Sequence, residues 1–248
     1  KGFEKTNFSS NSFDIAVGNV PFGNIKMYDS DFKKGDMIHD YFFKKALDKV
    51  KPNGIIAFIT SKGTMDKQNN SVRKYLAERA DLLGAVRLPN TAFKANAGTD
   101  VVSDVIFLQK RENLRDLEKD GMPEWVNVSE IDKFLYSDKA LENGSKIFIN
   151  DYFKSNPEMV AGELKVVSTQ FGFDTTCTQG DKELTEMLDA AVSNIHGEFT
   201  AEISADKETS ESKGNDTDII AGMYRNFCNH IIDNNIYYRE SDAMIKQN

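Results

Sequence analysis

The chain lacks most of the features that settle a protein's class outright. It has two cysteines in 248 residues, Cys177 and Cys228, and no CxxC spacing. That excludes a disulfide framework and argues against a zinc cluster, and it suits a reducing, cytoplasmic setting. Cys228 and His230 lie two apart on an expected helix, where they do not face one another, so no metal pair is read there. No run approaches the ~20 apolar residues that span a membrane. KGFEKTNF, residues 1–8, has neither the apolar centre nor the cleavage site of a signal peptide. Internal repeats are absent. So is an excess of positive charge: the net charge of −8 argues against a protein that coats nucleic acid with its whole surface.

What is present is an apolar fraction of 40%, enough for a real core. The charge is uneven. Through residue 111 there are 18 Lys and Arg against 12 Asp and Glu, and beyond it 13 against 27. A mildly basic first region is followed by an acidic one, although unrelated solvated surfaces would give the same imbalance.

The first region reads as alternating strands and helices. FDIAV (13–17) is a short apolar strand, and MIHDYFFKKALDKV (37–50) has apolar residues at helical spacing, with Asp36 placed as its cap. KPNG (51–54) stops that helix, and IIAFIT (55–60) follows as a strand of the kind buried in parallel sheets. A helix is expected at 71–79 with Ser71 as cap, then strands at 83–88 (LGAVRL) and 102–110 (VSDVIFLQK). This order is half of a doubly wound α/β sheet, whose ligands bind beyond the carboxyl ends of the strands. NVPFG, TSKG and LPNTAF all fall at those ends.

FDIAVGNVPFG (13–23) carries the chemistry. A base extruded from a duplex needs acceptors for its exocyclic amine and a flat apolar surface in place of its lost stacking. Asn19 offers a carboxamide oxygen, Val20 a backbone carbonyl and Phe22 a ring, while Pro21 fixes the backbone between them. As a plain strand-to-loop turn the same residues need no function, since Asn, Pro and Gly are all turn formers.

DIAVGNVPFG resembles the catalytic Asn-Pro-Pro-Tyr/Phe segment of the S-adenosylmethionine-dependent N6-adenine DNA methyltransferases. The similarity continues through GIIAFITSKGTMDK and VRKYLAERADLLGAVRLPNTAFKANAGTDVVSDVIFLQKR. That series is similar to the gamma-type modification subunits of type I restriction systems, and closer still to the methylase segment of large helicase-methylase proteins of mobile elements. The resemblance implies a partial Rossmann-like methyltransferase sheet with an acidic α+β extension, with double-stranded DNA as substrate and S-adenosylmethionine as methyl donor. It implies that Asn19 and the Val20 carbonyl hold the target amine and that Phe22 stacks on the base. Val20 departs from the family's usual Pro.

Family members bind the cofactor mainly through elements that precede the catalytic segment, and only 18 residues precede Asn19. Phe3 or Glu4 falls where a polar residue commonly meets the cofactor's adenine. The chain is therefore expected to be part of a longer protein, and to bind S-adenosylmethionine weakly or not at all by itself. The same resemblance leaves two rivals: a catalytically silent DNA- or partner-binding domain, and a methyltransferase acting on the glutamine amide of release factors.

Other residues divide between function and packing. His39 in HDYFF is read as part of an amphipathic helix rather than as a catalytic group. Asp14 either caps or orients the catalytic loop or has a structural role alone. Lys62 and Arg87, on the ligand side, are either phosphate contacts or ordinary solvated charges. Residues 24–35 are read as a long polar loop that covers the site or stays disordered. The domain reading is 1–111 for the methyltransferase half, 112–199 for the acidic extension, 200–217 for a disordered linker and 218–248 for the start of a further module. Within the extension, helical stretches are expected around EWVNVSEIDKFL with Trp125 packed against the sheet. A strand is expected at 146–151, and an amphipathic helix at 181–197.

Overall fold

The structure is a computed structural model describing residues 2–93 and 100–195, with the backbone of two short strands at 237–240 and 243–246. The expected linker (200–217) and the helix at 218–232, with Cys228 and His230, lie outside the described residues.

The centre is a four-stranded mixed sheet in the order β1 (Phe13–Asn19), β4 (Val50–Ser61), β6 (Ser103–Lys110), β5 (Ala80–Leu88). β1 runs parallel to β4, and β6 is antiparallel to both of its neighbours, so β1, β4 and β5 end on the same side. The α/β class and the four apolar strands agree with the sequence pattern. Two helices, α1 (Ile38–Lys49) and α3 (Ser71–Arg79), pack against β4 and β5 and touch each other, and a single turn, α2 (Gly63–Asp66), follows β4. Ile56 and Leu108 on one face of the sheet, and Val86 and Val105 on the other, are fully buried.

KPNG does not separate helix from strand as expected. β4 starts at Val50 directly after the helix, and the segment forms a bulge: Phe13 pairs with Val50, yet Ile15 already pairs with Ile55. Asn53 turns the chain at φ 65°. A Cβ at Gly54 would lie 2.6 Å from the Asp14 carbonyl oxygen, so only glycine fits the close approach.

The segment 24–35 is not an irregular loop. It is largely a hairpin of β2 (Lys26–Asp29) and β3 (Phe32–Met37). Asp29 fastens it to α1 by accepting hydrogen bonds from the Tyr41 hydroxyl at 2.6 Å and Lys45 Nζ at 2.8 Å, and the Asp31 amide closes the turn on its other oxygen. Burial alone would push the Asp29 pKa up. The hydrogen bonds from Lys45 and Tyr41 outweigh it and hold the group at about 2, against an ordinary 3.8. A lowered carboxylate pKa stabilises fully above the ordinary value and is lost as pH falls through the folded one. Stability is therefore expected to drop between about pH 4 and pH 2, and Asp29→Asn to flatten that limb in acid titrations followed by circular dichroism.

The helix caps differ from the sequence expectation. Met37 holds the capping position of α1, because Asp36 belongs to β3 and pairs with Lys44 at 2.7 Å. Asn70 precedes α3, and Ser71 is its first residue.

The acidic part closes over β5. The Tyr152 hydroxyl accepts from the Ala85 amide at 3.2 Å, and the Ala161 amide donates to the Arg87 carbonyl at 2.8 Å, so the outer edge of β5 is covered. Residues 112–195 carry short elements: β7 (Val128–Glu130) paired with β8 (Phe148–Asn150), α4 (Asp138–Glu142) and α5 (Asp151–Ser155), a hairpin of β9 (Glu163–Thr169) and β10 (Gly172–Thr178), and α6 (Leu184–Val192). The helix read at 181–197 is present but shorter. EWVNVSEIDKFL is two single turns flanking β7 rather than helix, and the Trp125 turn packs on α3 and α5. Trp125, Phe153 and Ile195 join the same buried cluster as the sheet residues. Cys177 is buried, and burial pushes its thiol up to about 12. Strands β11 (Tyr237–Glu240) and β12 (Ala243–Lys246) pair with each other. Among the described residues, no helix is long and apolar enough to cross a membrane.

Candidate active site

Asn19 ends β1 opposite Ile59 of β4, at the edge where the parallel strands terminate. The next amide, that of Val20, donates to the Ile59 carbonyl at 2.9 Å, and the Val20 side chain is 1% exposed in the core. A proline at 20 would have no N–H for this bond. Here, then, the hydrogen bond and the buried side chain fix the backbone that a ring would otherwise stiffen. The carboxamide of half-buried Asn19 and the Val20 carbonyl engage no partner among the described residues. Pro21 is exposed, and Phe22 presents its ring at 40% exposure.

The Phe22 ring does not stand alone. Its centroid lies 6.1 Å from that of His39, in the first turn of α1, with the planes tilted by 48°. His39 Nδ1 is 3.3 Å from Thr60 Oγ1, which is 2.8 Å from Thr64 Oγ1, and both threonines are buried. Burial holds the imidazole pKa below its ordinary 6.5, with Lys67 adding to the effect and Asp40 opposing it, so the ring is neutral at pH 7. By its helical spacing His39 reads as a packing residue, whereas its partners are the site's aromatic ring and the end of β4.

The turn after β4 is fastened from several sides. Arg73, 1% exposed, donates to the carbonyls of Val126 at 2.9 Å, Thr64 at 3.2 Å and Lys67 at 2.7 Å. Asn150 donates from its side chain to the Met65 carbonyl at 2.9 Å and from its amide to Asp66 at 3.0 Å. The acidic region thereby fixes a loop of the site.

Arg87 is not a phosphate contact. It is 0% exposed, with Nε and Nη2 on the two oxygens of Asp104 at 2.8 and 2.9 Å, Nη1 2.8 Å from Asp66, and the guanidinium 4.3 Å from the Phe153 ring centroid. Burial opposes its charge, and the two carboxylates more than restore it, so its pKa lies above the ordinary value. The pair was legible in part: Arg87 and Asp104 are lone opposite charges in apolar strands, and they face each other across the β5–β6 register. Lys62 is also engaged within the fold, donating to Asp174 at 2.6 Å and to the carbonyl and hydroxyl of Thr175. Asp14 is exposed and pairs with Lys51 at 2.7 Å.

A cavity of about 340 Å³ runs along β1, lined by Phe3, Ile15, Gly18, Asn19, Phe42 and Phe58 among others. Phe3 thus shares a space with Asn19, while its ring packs on Phe42 at 5.1 Å between centroids. Glu4 does not line it. The walls suit an aromatic ring. Among the described residues they offer no carboxylate, and the lining cation, Lys49, is paired with Asp48 at 2.7 Å.

Residues 1–93 match the family of Eco57I restriction-modification methylases. The methylase-like segment carries the site, from Asn19 to Leu88. Over 105 residues, 41% of this chain, the sequence is 38% identical to the defense against restriction protein B of Escherichia phage P1, and the match spans 5% of that relative's length. Among solved structures, a chain of a type I restriction-modification system is similar with 25% identity and a TM-score of 0.37, over 42% of this chain and 22% of that one. A modification subunit of a putative type I restriction enzyme from Vibrio vulnificus YJ016 is similar with 14% identity and a TM-score of 0.36, over 70% and 38%.

Proposed function

We propose that the methylase-like segment holds the target base of an S-adenosylmethionine-dependent DNA methyltransferase that modifies the exocyclic amine of adenine. The observation that carries this reading is the pairing of two acceptors unengaged among the described residues, the Asn19 carboxamide and the Val20 carbonyl, with the exposed ring of Phe22. The two acceptors bind the two N–H bonds of the amine and turn its lone pair outward. Phe22 replaces the stacking lost on extrusion, worth about 1–3 kcal/mol per base on an aromatic side chain. When bound, the methyl donor supplies the electrophilic carbon, and no ionised base is needed first because the amine proton leaves after transfer. In this reading the donor's remaining contacts come from elsewhere in a longer protein.

The release-factor reading shares the whole segment, acceptor pair and ring, and it is the similarity of the downstream segments from Gly54 to Arg111 that favours DNA over it. The silent DNA-binding reading needs free cations on the first region. Lys44, Lys45, Lys62, Lys67 and Arg87 are paired with carboxylates of the fold, which narrows the surface that reading can use, and persistence of DNA affinity without transfer in Asn19→Ala would separate the two. The test is to offer labelled S-adenosylmethionine to the full-length protein that contains this chain, with unmodified DNA and a release factor as competing acceptors. Label is expected in DNA. Label in the release factor, or in neither, would overturn the reading.

A further inference from the structure

The geometry points to His39 as a positioning residue of the target-base pocket, one that sets the tilt of Phe22 through direct ring contact. This rests on the reading above and adds a group that works on the aromatic platform rather than on the amine. Phe22 follows an exposed proline and keeps 40% of its surface in solvent, so its own strand does little to hold the ring. His39 supplies the missing wall at 6.1 Å.

That wall is itself held. The imidazole is tied to Thr60 and through it to Thr64, and Arg73 fixes the Thr64 carbonyl. The Ile38 amide, one residue earlier, donates to the Ile25 carbonyl at 2.8 Å, which fixes the start of α1 against the chain leaving Phe22. Its neighbours Ile38, Asp40 and Tyr41 are buried, whereas His39 is only half-buried and turned to the site, a placement core packing does not require. The neutral ring is also the form that packs on an aromatic face without bringing a charge beside the base.

The experiment measures kcat, KM and DNA affinity of the full-length protein, using unmodified plasmid DNA, for His39→Ala, Phe22→Leu and the double variant. His39→Ala is expected to lower kcat about tenfold, the scale of one aromatic pair, with DNA affinity unchanged. In the Phe22→Leu background the same change is expected to have no further effect, because its route runs through the ring. An equal loss in both backgrounds, or no loss in either, would overturn the proposal. Should His39→Ala fail to fold, Thr60→Val cuts the tether while keeping the shape. It is measured in the same two backgrounds, where a loss confined to the Phe22 background supports the proposal and any other pattern overturns it. Asn19→Ala separates the two levels: if it leaves transfer intact, the methyltransferase reading fails. If it removes transfer while His39→Ala does nothing, only the positioning role fails.

Discussion

Arg87→Ala is expected to destabilise the fold by about 3–5 kcal/mol, the cost of leaving a buried charge without its partner. Total stability of a domain is commonly about 5–15 kcal/mol, so much of this chain's margin would go. The cause is local. Asp104 is 0% exposed and sits in β6 with Arg87 across the register, and loss of the guanidinium strands its carboxylate in the buried interior. Asp66 would lose its ion pair as well, although the Asn150 amide still reaches it. The joint replacement Arg87→Met with Asp104→Leu should recover most of the loss, since an apolar pair of similar volume removes the stranded charge. Urea unfolding of the wild type and both variants reads this directly. A joint variant no better than Arg87→Ala would mean that the ion pair is not the source of the effect. Because the same cluster grips the turn after β4, the single variant should also loosen the site, without any contact between Arg87 and DNA.

Asn19→Ala is expected to reduce methyl transfer by the full-length protein by on the order of 10²–10³-fold or more, the range seen when one preorganised hydrogen-bonding group is removed from a reacting centre. Folding should be little affected. The side chain is half-buried and bonds nothing among the described residues, while the backbone bond at the neighbouring Val20 stays in place. DNA affinity should also hold, because a single acceptor on the extruded base contributes little beside contacts to the duplex backbone. Kinetics with a parallel DNA-binding titration distinguish this from a folding defect, which would lower both together. A variant retaining full transfer would show that Asn19 does not hold the amine.

The strands of the sheet were legible because each is an apolar run too short for a membrane helix and bounded by turn residues. NVPFG was legible because its residue types serve one chemical task at the end of such a strand. The bulge at KPNG was not, since whether Pro and Gly end an element or kink it depends on the neighbouring strand, here on the Asp14 carbonyl beside Gly54. Asp36 and Ser71 looked like caps by spacing alone, but a partner on α1 took Asp36 away, and Ser71 is itself the first residue of α3, its amide donating to the Asn69 side chain. The hairpin at 26–37 was hidden because a buried Lys45–Asp29 pair organises it rather than an apolar pattern. Arg87 illustrates the same limit from the other side. A charged residue beside a loop reads as surface until the opposing Asp104 is known to share its register.

The most direct measurement is to digest DNA exposed to the full-length protein and labelled S-adenosylmethionine, and to separate the labelled nucleosides by chromatography. An amine held by Asn19 and the Val20 carbonyl predicts a single labelled product, N6-methyladenine, that disappears with Asn19→Ala. Label on cytosine, or label on adenine that persists without Asn19, would contradict it.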